Sequence, residues 1–465
     1  MAIIKDLMRH SLPALARLVS VAAALPLHLA AQLPSPPPDP RYKVDILLIV
    51  AHPDDESVVS GYLARAILDQ HKRVAVIYGT RGDGGGNEAG PEQAAALGAV
   101  REIEARRANA ALGIDLVWFL DGKDTPSQDV LQSLETWHHG ASLEQTVRLI
   151  RLTRPTVIMT WLPQFVIGEN HGDHQAAGVL ATEAFDLAAN PTAYPSQVTP
   201  ARNRTSIANL TEGLTTWQPQ KLYFFSDRDD WTPFRTAGPR YSVTDVSPAT
   251  GTPYYRTQAA SLANHLTQGE GGRLAAQAIK TGDYTAYLKS QEAFAGTADV
   301  QLTLGKSLSD GTETGDVFQG VTDRPAAWRP PTAGGEGSAP ALSLGGPWGF
   351  YRAFARVHGI ERVGGLIPEE LGVNPGSPVR LPLVIRNPGA ETTFRLTAAL
   401  PTGWTEQGGS GSYVVPAQGS IDLQLRLTAP PSAGPAADLV VTLADGNRVV
   451  GTVRLRVRAL GTMPL

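Results

Sequence analysis

The spacing of apolar residues divides the chain into two regions of different texture. From Lys43 onward, short apolar runs alternate with longer stretches in which apolar residues recur at helical spacing. Val44–Val50 is apolar at almost every position, which is typical of a parallel strand buried on both faces. Strands that alternate with helices predict an α/β fold with a Rossmann-like, doubly wound, mostly parallel sheet. The same pattern predicts four further strands, at Val74–Tyr78, Leu116–Leu120, Thr156–Trp161 and Leu222–Phe225.

The C-terminal region has the pattern of an all-β domain. From Leu366 onward, apolar and polar residues alternate in short runs, and turn signals such as Asn387-Pro388-Gly389 and Asp445-Gly446 separate them. Such spacing predicts an immunoglobulin-like β-sandwich over residues 366–465. The Pro-, Gly- and Ser-rich stretch before it predicts a linker over residues 329–365.

The N-terminus has the features of a signal peptide. Basic residues precede an apolar segment, Leu18–Ala31, that ends in small residues and is followed by a Pro-rich stretch. We therefore predict a signal peptide over residues 1–31, a Pro-rich linker over 32–42 and an α/β domain over 43–328. This implies export to the periplasm or the extracellular space, with no transmembrane span in the mature chain. An uncleaved N-terminal membrane anchor is the alternative.

Composition and charge narrow the classes of partner. Hydrophobic residues make up 42% of the chain and charged residues 18%, which permits a large core and excludes wholesale disorder. The formal net charge of −4 leaves no basic excess for a phosphate backbone, so nucleic acid is not an expected partner. Because the sequence has no cysteine, disulfides and thiolate metal sites are excluded, and any metal ligand must be His, Asp or Glu.

Two polar clusters follow predicted strands, at the positions where open α/β sheets bind ligands. The first strand leads into Ala51–Glu56, which contains one histidine and three acids where a nucleotide-binding sheet would have glycines. The fourth strand is followed, after a loop, by His171–His174, which contains two histidines and an aspartate. Each cluster alone fits a structural role, as a capped helix start or a polar loop. Their joint position beyond two strands of one sheet favours a site for a divalent cation.

The first cluster contains residue types that suit hydrolysis. A catalytic zinc ion has three protein ligands and one open position, and His52, Asp55 and His174 can supply the three ligands. A water at the open position has a pKa near ~7, and Asp54 can accept its proton.

The second cluster offers groups for the charge that develops during the reaction. We expect His171 to be the cation that stabilises the oxyanion or protonates the leaving amine, with Asp173 fixing its orientation. Together with Asp54 as base, this predicts a bell-shaped pH profile of activity.

The two clusters resemble a known family. AHPDDE after the first strand and HxDH after a later strand are the signature of the PIG-L/LmbE-like deacetylases, and the resemblance extends from about Val44 to Leu266. It implies the same Rossmann-like fold, the same general base and acid, and Zn²⁺, or another divalent metal such as Fe²⁺, on the three ligands named above. Gly172 stands where many members have proline.

Further segments of the resemblance suggest substrate contacts. Arg81 lies in a turn similar to the T-x-G turn of the family, Arg101 begins a stretch similar to its R-x-x-E helix, and His265 lies in a segment similar to its D-V-S…H-x-x-Q segment. We take all three as candidate substrate-binding residues. A surface salt bridge on a helix rich in Arg and Glu is the alternative role of Arg101.

These observations predict an exported, zinc-dependent amidohydrolase that removes an acetyl group from an N-acetylated sugar or glycoconjugate. One alternative is a secreted carbohydrate-binding protein on an inactive deacetylase scaffold, and another is a metal-dependent hydrolase of a different amide. The sandwich would bind polysaccharide if Trp404 and Tyr413 stacked on sugar rings, but packing within the sandwich is their expected role.

Overall fold

The computed structural model describes residues 39–166, 171–198, 214–227, 236–295, 298–322 and 337–460. The predicted signal peptide, residues 1–31, lies outside these ranges, as do most of the 32–42 linker and the first residues of the 329–365 linker. Export therefore stays a prediction from the sequence. None of the helices within the described ranges is both long and apolar enough to cross a bilayer.

A six-stranded sheet lies at the centre of the first domain. The described strands of this region are Ile46–Val50 (β1), Val74–Tyr78 (β2), Leu116–Phe119 (β3), Val157–Trp161 (β4), Lys221–Phe225 (β5), Arg240–Tyr241 (β6), Val300–Gln301 (β7) and Thr303–Ser307 (β8). The strand order is β3-β2-β1-β4-β5-β8, in which β1 to β5 are parallel and β8 is antiparallel at the edge. β6 and β7 form a separate antiparallel pair. The predicted mostly parallel α/β fold is confirmed.

Burial along the strands follows their position in the sheet. Every residue of the central strand β1 is buried, because helices cover both faces of the sheet, whereas the edge strand β3 is largely half-buried. The helices of this domain are Ser60–Leu68 (α1), Ala94–Leu112 (α2), Val130–Thr136 (α3), His139–Thr153 (α4), Gly172–Leu187 (α5), Tyr254–Leu262 (α6), Glu270–Thr281 (α7) and Thr285–Ala295 (α8). One group of helices packs around α6 and another around α5.

Two further helices and nine strands follow in the rest of the described chain. They are Ala341–Leu344 (β9), Gly346–His358 (α9), Glu361–Gly364 (α10), Glu370–Val373 (β10), Pro378–Asn387 (β11), Thr392–Ala399 (β12), Thr405–Gly408 (β13), Gly411–Val415 (β14), Gly419–Thr428 (β15), Ala437–Asp445 (β16) and Arg448–Ala459 (β17). One sheet has the order β10-β17-β16-β12-β14 and the other β13-β15-β11-β9. Apolar residues from both sheets form one core, so the predicted all-β sandwich is confirmed, while its immunoglobulin-like topology stays a prediction.

The two aromatic residues considered for sugar stacking pack within the sandwich. Trp404 is buried in the sandwich core. Tyr413 is partly buried against the same core, and its hydroxyl donates to the Gly409 carbonyl at 2.7 Å. Their positions agree with packing roles.

Residues 329–365 are not a linker throughout. Within this stretch β9 pairs with β11, with Leu344 opposite Leu383, and α9 and α10 follow. Part of the Gly and Pro content that suggested a linker lies at the start of a helix. Pro347 is in the first turn of α9, where the missing backbone N–H of proline costs no hydrogen bond.

Candidate active site

The first polar cluster forms a strained turn after β1. Asp54 has a φ of +104°, in the left-handed region that residues other than glycine rarely adopt. Its backbone N–H donates to Glu56 Oε2 at 3.1 Å, and a 3₁₀ helix, Asp55–Val58, begins at the next residue. A buried carboxylate thus stabilises the strained position.

The two oxygens of the Asp55 carboxylate have different surroundings. Oδ2 accepts hydrogen bonds from the backbone of Ala51 (2.8 Å) and His52 (2.9 Å) and from the Trp161 indole (2.7 Å). Oδ1 lies 3.2 Å from His174 Nε2 and 3.7 Å from His52 Nδ1. Burial opposes the charge of Asp55, but the adjacent imidazoles outweigh burial and hold its pKa well below the usual value. One oxygen is therefore anchored, and the other faces two possible metal ligands.

The second polar cluster lies at the N-terminus of α5. His171 is the N-cap residue, and its Nδ1 accepts the backbone N–H of Asp173 at 3.4 Å. His174 follows in the first turn, and its ring stacks on Trp161 with a centroid distance of 4.0 Å and an interplanar angle of 7°. The ring centroid of His171 lies 4.8 Å from that of His52 and 4.4 Å from that of His174. The sheet thus brings the three histidines together, as the strand-end rule predicted.

Asp173 has a different contact from the one we expected. Its carboxylate lies 3.3 Å from His52 Nε2 and accepts from the Thr125 hydroxyl (2.6 Å) and backbone (2.8 Å), whereas only its backbone N–H contacts His171. Asp173 therefore orients His52, and the expectation that its carboxylate fixes His171 is wrong. With Nε2 directed at a carboxylate, His52 presents Nδ1 toward Asp55, the arrangement of a metal-binding histidine.

Among the described residues, two groups of side chains have ligand atoms within 4.8 Å of one another. The groups are His52, His171 and His174, and His52, Asp124 and Asp173. Although burial disfavours charge on the imidazoles, the pKa of His52 and that of His174 are both raised, because carboxylates lie against them. The cluster therefore attracts positive charge, which fits a cation site with nitrogen and oxygen ligands.

Two groups beside the cluster have strongly shifted pKa values. Burial, with the charge of Asp55, raises the pKa of Asp54 to about 7, a suitable value for a general base at neutral pH. Burial and the neighbouring rings of His174 and His52 lower the pKa of His171 to about 2. These surroundings disfavour a positive charge on the His171 ring, in contrast to the cation that we expected.

Sequence reasoning missed two carboxylates that also follow strands. Asp124 follows β3, and its Oδ1 lies 3.8 Å from His52 Nε2 without a hydrogen-bond partner among the described residues. Asp227 follows β5 and lies 3.9 Å from His174 Nδ1. The rule that located the first two clusters applies equally to these strand ends, and it would have identified both residues.

The two arginines predicted as substrate contacts have structural partners. Arg81 is bound to Glu102 at 2.9 Å in a half-exposed ion pair and contacts none of the cluster residues. Arg101 is buried, and its guanidinium donates to the carbonyls of Gly82 (2.6 Å) and Gly86 (2.7 Å). Arg101 therefore holds the glycine-rich loop beside the cluster, and the alternative surface salt bridge is not what the structure contains.

His265 belongs to a buried network behind Asp54. Its Nε2 lies 2.6 Å from Glu56 Oε1, and Glu56 Oε2 also accepts from the Tyr78 hydroxyl at 2.8 Å. Glu56 is 0% exposed and His265 is 1% exposed. The network supports the strained turn through Glu56, and it encloses His265 rather than exposing it to a ligand.

Gly172 permits a close contact that a larger residue would prevent. A Cβ at this position would lie 2.5 Å from Ser133 Oγ and 2.8 Å from the Ser127 carbonyl oxygen. The Gly172 backbone also donates to Ser127 O at 2.8 Å, a bond that proline cannot make. The segment around Thr125, which hydrogen-bonds to the Asp173 carboxylate, therefore packs directly against the start of α5.

Comparisons with known proteins identify the family. The family profile of the GlcNAc-PI de-N-acetylases, PIG-L, matches residues 47–185. The 1D-myo-inositol 2-acetamido-2-deoxy-alpha-D-glucopyranoside deacetylase of Thermobifida fusca is 30% identical over 251 residues, which cover 48% of this chain and 82% of that protein. The enzyme of the same name from Streptomyces avermitilis is 29% identical, covering 48% and 83%. The solved structure of the N,N'-diacetylchitobiose deacetylase of Pyrococcus horikoshii aligns over 56% of this chain and 83% of that chain, with 15% identity and a TM-score of 0.38.

Proposed function

The chain belongs to the PIG-L family of de-N-acetylases, and from this premise we propose that it is a metal-dependent hydrolase that removes the acetyl group from an N-acetylated sugar or glycoconjugate. The observation that carries the proposal is the convergence of Asp55 Oδ1 with His52 Nδ1 and His174 Nε2 beside Asp54. A buried carboxylate next to a cation-attracting cluster suits the hydrolysis of an unactivated amide, because it can accept a proton from water.

We assign the metal to His52, Asp55 and His174. Two imidazoles and one carboxylate suit Zn²⁺, and the same set suits Fe²⁺. Two carboxylates lie against the ring nitrogens that do not face the metal position, and they help to orient the rings. Asp173 lies at His52 Nε2, and Asp227 lies near His174 Nδ1. When bound, such an ion polarises the amide carbonyl and lowers the pKa of a water.

Asp54 acts as the base and then as the acid. It takes a proton as the water oxygen bonds to the acetyl carbon, and it returns that proton to the nitrogen as the C–N bond breaks. The products are acetate and the protonated amine, because the acetic acid that forms gives its proton to the amine. A bound cation would lower the pKa of Asp54 below about 7, which keeps the carboxylate deprotonated before the attack.

His171 stabilises the carbonyl oxygen as it gains negative charge. Because its Nδ1 accepts the Asp173 N–H, the proton of the neutral ring is on Nε2 and is available to donate. Asp124 Oδ1 is buried 3.8 Å from His52 Nε2, so it adds negative charge behind that ligand.

The experiment measures acetate release and metal content together, with N-acetylglucosamine derivatives and other N-acyl amides as substrates. We expect Asp54→Asn to lower turnover by about 10²–10⁴-fold while metal content stays near that of the wild type. His174→Ala should lose both metal and activity, and the exposed Asp121→Asn serves as control. An Asp54→Asn enzyme with wild-type turnover, or a metal-loaded and active His174→Ala enzyme, would refute these roles. Cleavage of a non-acetyl amide alone would favour the alternative substrate class.

A further inference from the structure

The segment between the first two sandwich strands lies in the core of the α/β domain. After β9 the chain leaves the sandwich, forms α9 and α10, and returns as β10. The fully buried apolar side chains of this segment belong to the same core as the central sheet rather than to the sandwich core. They are Tyr351, Phe354, Ile360, Val363 and Ile367.

One contact joins α9 to the turn that carries His174. The Tyr351 hydroxyl donates to Gln175 Oε1, and Gln175 directly follows His174 in α5. Burial raises the pKa of Tyr351 well above the usual value, so the hydroxyl keeps the proton that it donates. Gln175 Nε2 in turn donates to the Gln128 carbonyl at 3.3 Å. The Gln175 side chain therefore connects α9 to the loop that contains Thr125.

A second contact joins α9 to the other end of α5. His358 Nδ1 lies 2.7 Å from Asp186 Oδ2, and Lys306 Nζ of β8 lies 2.5 Å from Asp186 Oδ1. All three side chains are largely buried. Helix α9 thus contacts α5 near both ends of α5, through Tyr351 at Gln175 and through His358 at Asp186.

We propose that Tyr351, on the helix α9 that packs against α5, is a positioning residue that sets the His174 ligand through its hydrogen bond to Gln175. The inference rests on the proposed role of His174 as a metal ligand. The position of His174 Nε2, 3.2 Å from Asp55 Oδ1, depends on how α5 is rotated and placed. Residues behind metal ligands fix the orientation of those ligands and thereby tune metal binding. The segment that carries α9, which lies between two strands of the sandwich, is then a part of the catalytic unit.

The test compares Tyr351→Phe with the wild-type full-length chain. The variant removes one hydroxyl and keeps the ring in the core. We expect about tenfold weaker Co²⁺ binding in a chelator competition, a changed visible spectrum of the Co²⁺-loaded protein, and a lower kcat with little change in KM. Tyr413→Phe is the matched control, because it removes a hydroxyl from the sandwich, where the metal site is not affected.

A second variant separates positioning from general packing. Phe354→Leu weakens the same helix without removing a hydrogen bond to α5, so it should lower the unfolding midpoint while its Co²⁺ affinity and spectrum stay close to wild type. Equal Co²⁺ affinity and spectra in Tyr351→Phe and wild type would overturn the inference and leave the proposed function standing. An equal loss of affinity in Tyr351→Phe and Phe354→Leu would have the same meaning, because packing and not the hydroxyl would then be the cause. A wild-type chain that binds no Co²⁺ would refute the proposed function and the inference with it.

Discussion

Replacing Glu56 with glutamine tests whether the buried network behind Asp54 holds the catalytic turn. The carboxylate accepts from three donors, which are His265 Nε2, the Tyr78 hydroxyl and the Asp54 backbone N–H. Glutamine has nearly the same shape, but its NH₂ group must face at least one of these donors. Breaking a buried ion pair by removing one partner costs ~3–5 kcal/mol, so we expect a loss of that size in the free energy of unfolding.

The loss should depend on pH. Burial alone would lower the pKa of His265, but the carboxylate of Glu56 outweighs burial and the pKa is raised. The stabilisation by the pair is therefore complete below about pH 6.5 and declines as the pH rises through the raised value. Above the raised pKa, His265 is neutral in the wild type as well. The difference in unfolding free energy between wild type and variant then falls to about 1–3 kcal/mol, the cost of the one donor that is left without an acceptor.

Activity should fall together with stability. Glutamine offers one acceptor oxygen to three donors, so the hydrogen bond that supports the left-handed Asp54 weakens and the Asp54 carboxylate moves, which we expect to lower kcat about 10²-fold. Urea unfolding at two pH values and steady-state kinetics measure both effects. Glu102→Gln is the control, because its half-exposed ion pairs contribute less than about 1 kcal/mol. A Glu56→Gln enzyme with unchanged kcat and a destabilisation as small as that of the control would refute the reasoning.

Three further predictions concern other contacts. Gly172→Ala places a Cβ 2.5 Å from a serine hydroxyl and 2.8 Å from a backbone carbonyl oxygen. We expect it to lower stability by about 1–3 kcal/mol in urea unfolding, and an unchanged midpoint would contradict this packing. Thr125→Val removes a donor to Asp173, so zinc binding measured by chelator competition should weaken about tenfold; equal affinity would argue against the supporting role of that carboxylate. A hydrogen bond to Glu183 raises the pKa of His139, so this pair stabilises the fold fully below about pH 6.5 and less as the pH rises through the raised value. His139→Gln should remove that pH dependence from thermal melts, and an identical pH profile would exclude the pair as its source.

The cluster could be predicted from the sequence because parallel strands end at the same edge of a sheet. The apolar runs β1 and β4 identify two such ends, and the polar residues after them include His52 and His174. Their proximity follows from the topology alone, whatever the details of packing. The same rule covers Asp124 and Asp227, because they follow two other strands of this sheet.

The partners of individual side chains could not be predicted in this way. The periodicity of α2 does not indicate that Arg101 turns toward the glycine-rich loop, or that Arg81 pairs with Glu102 away from the cluster. Asp173 and His171 are neighbours in sequence, yet the Asp173 carboxylate contacts His52, which is 121 residues away. Which side chains become partners depends on distances of a few ångströms between elements that are far apart in the sequence.

Local sequence patterns specify the two domain classes, the sheet and the set of residues at its ligand-binding edge. These features depend on local hydrophobic periodicity and on strand direction, both of which are written into short segments. Long-range packing specifies which carboxylate orients which histidine, and that α9 packs on α5. Tyr351 and Gln175 are 176 residues apart, and no local pattern specifies their contact. That contact exists because both helices bury apolar faces in one core, which places two polar groups within hydrogen-bond distance.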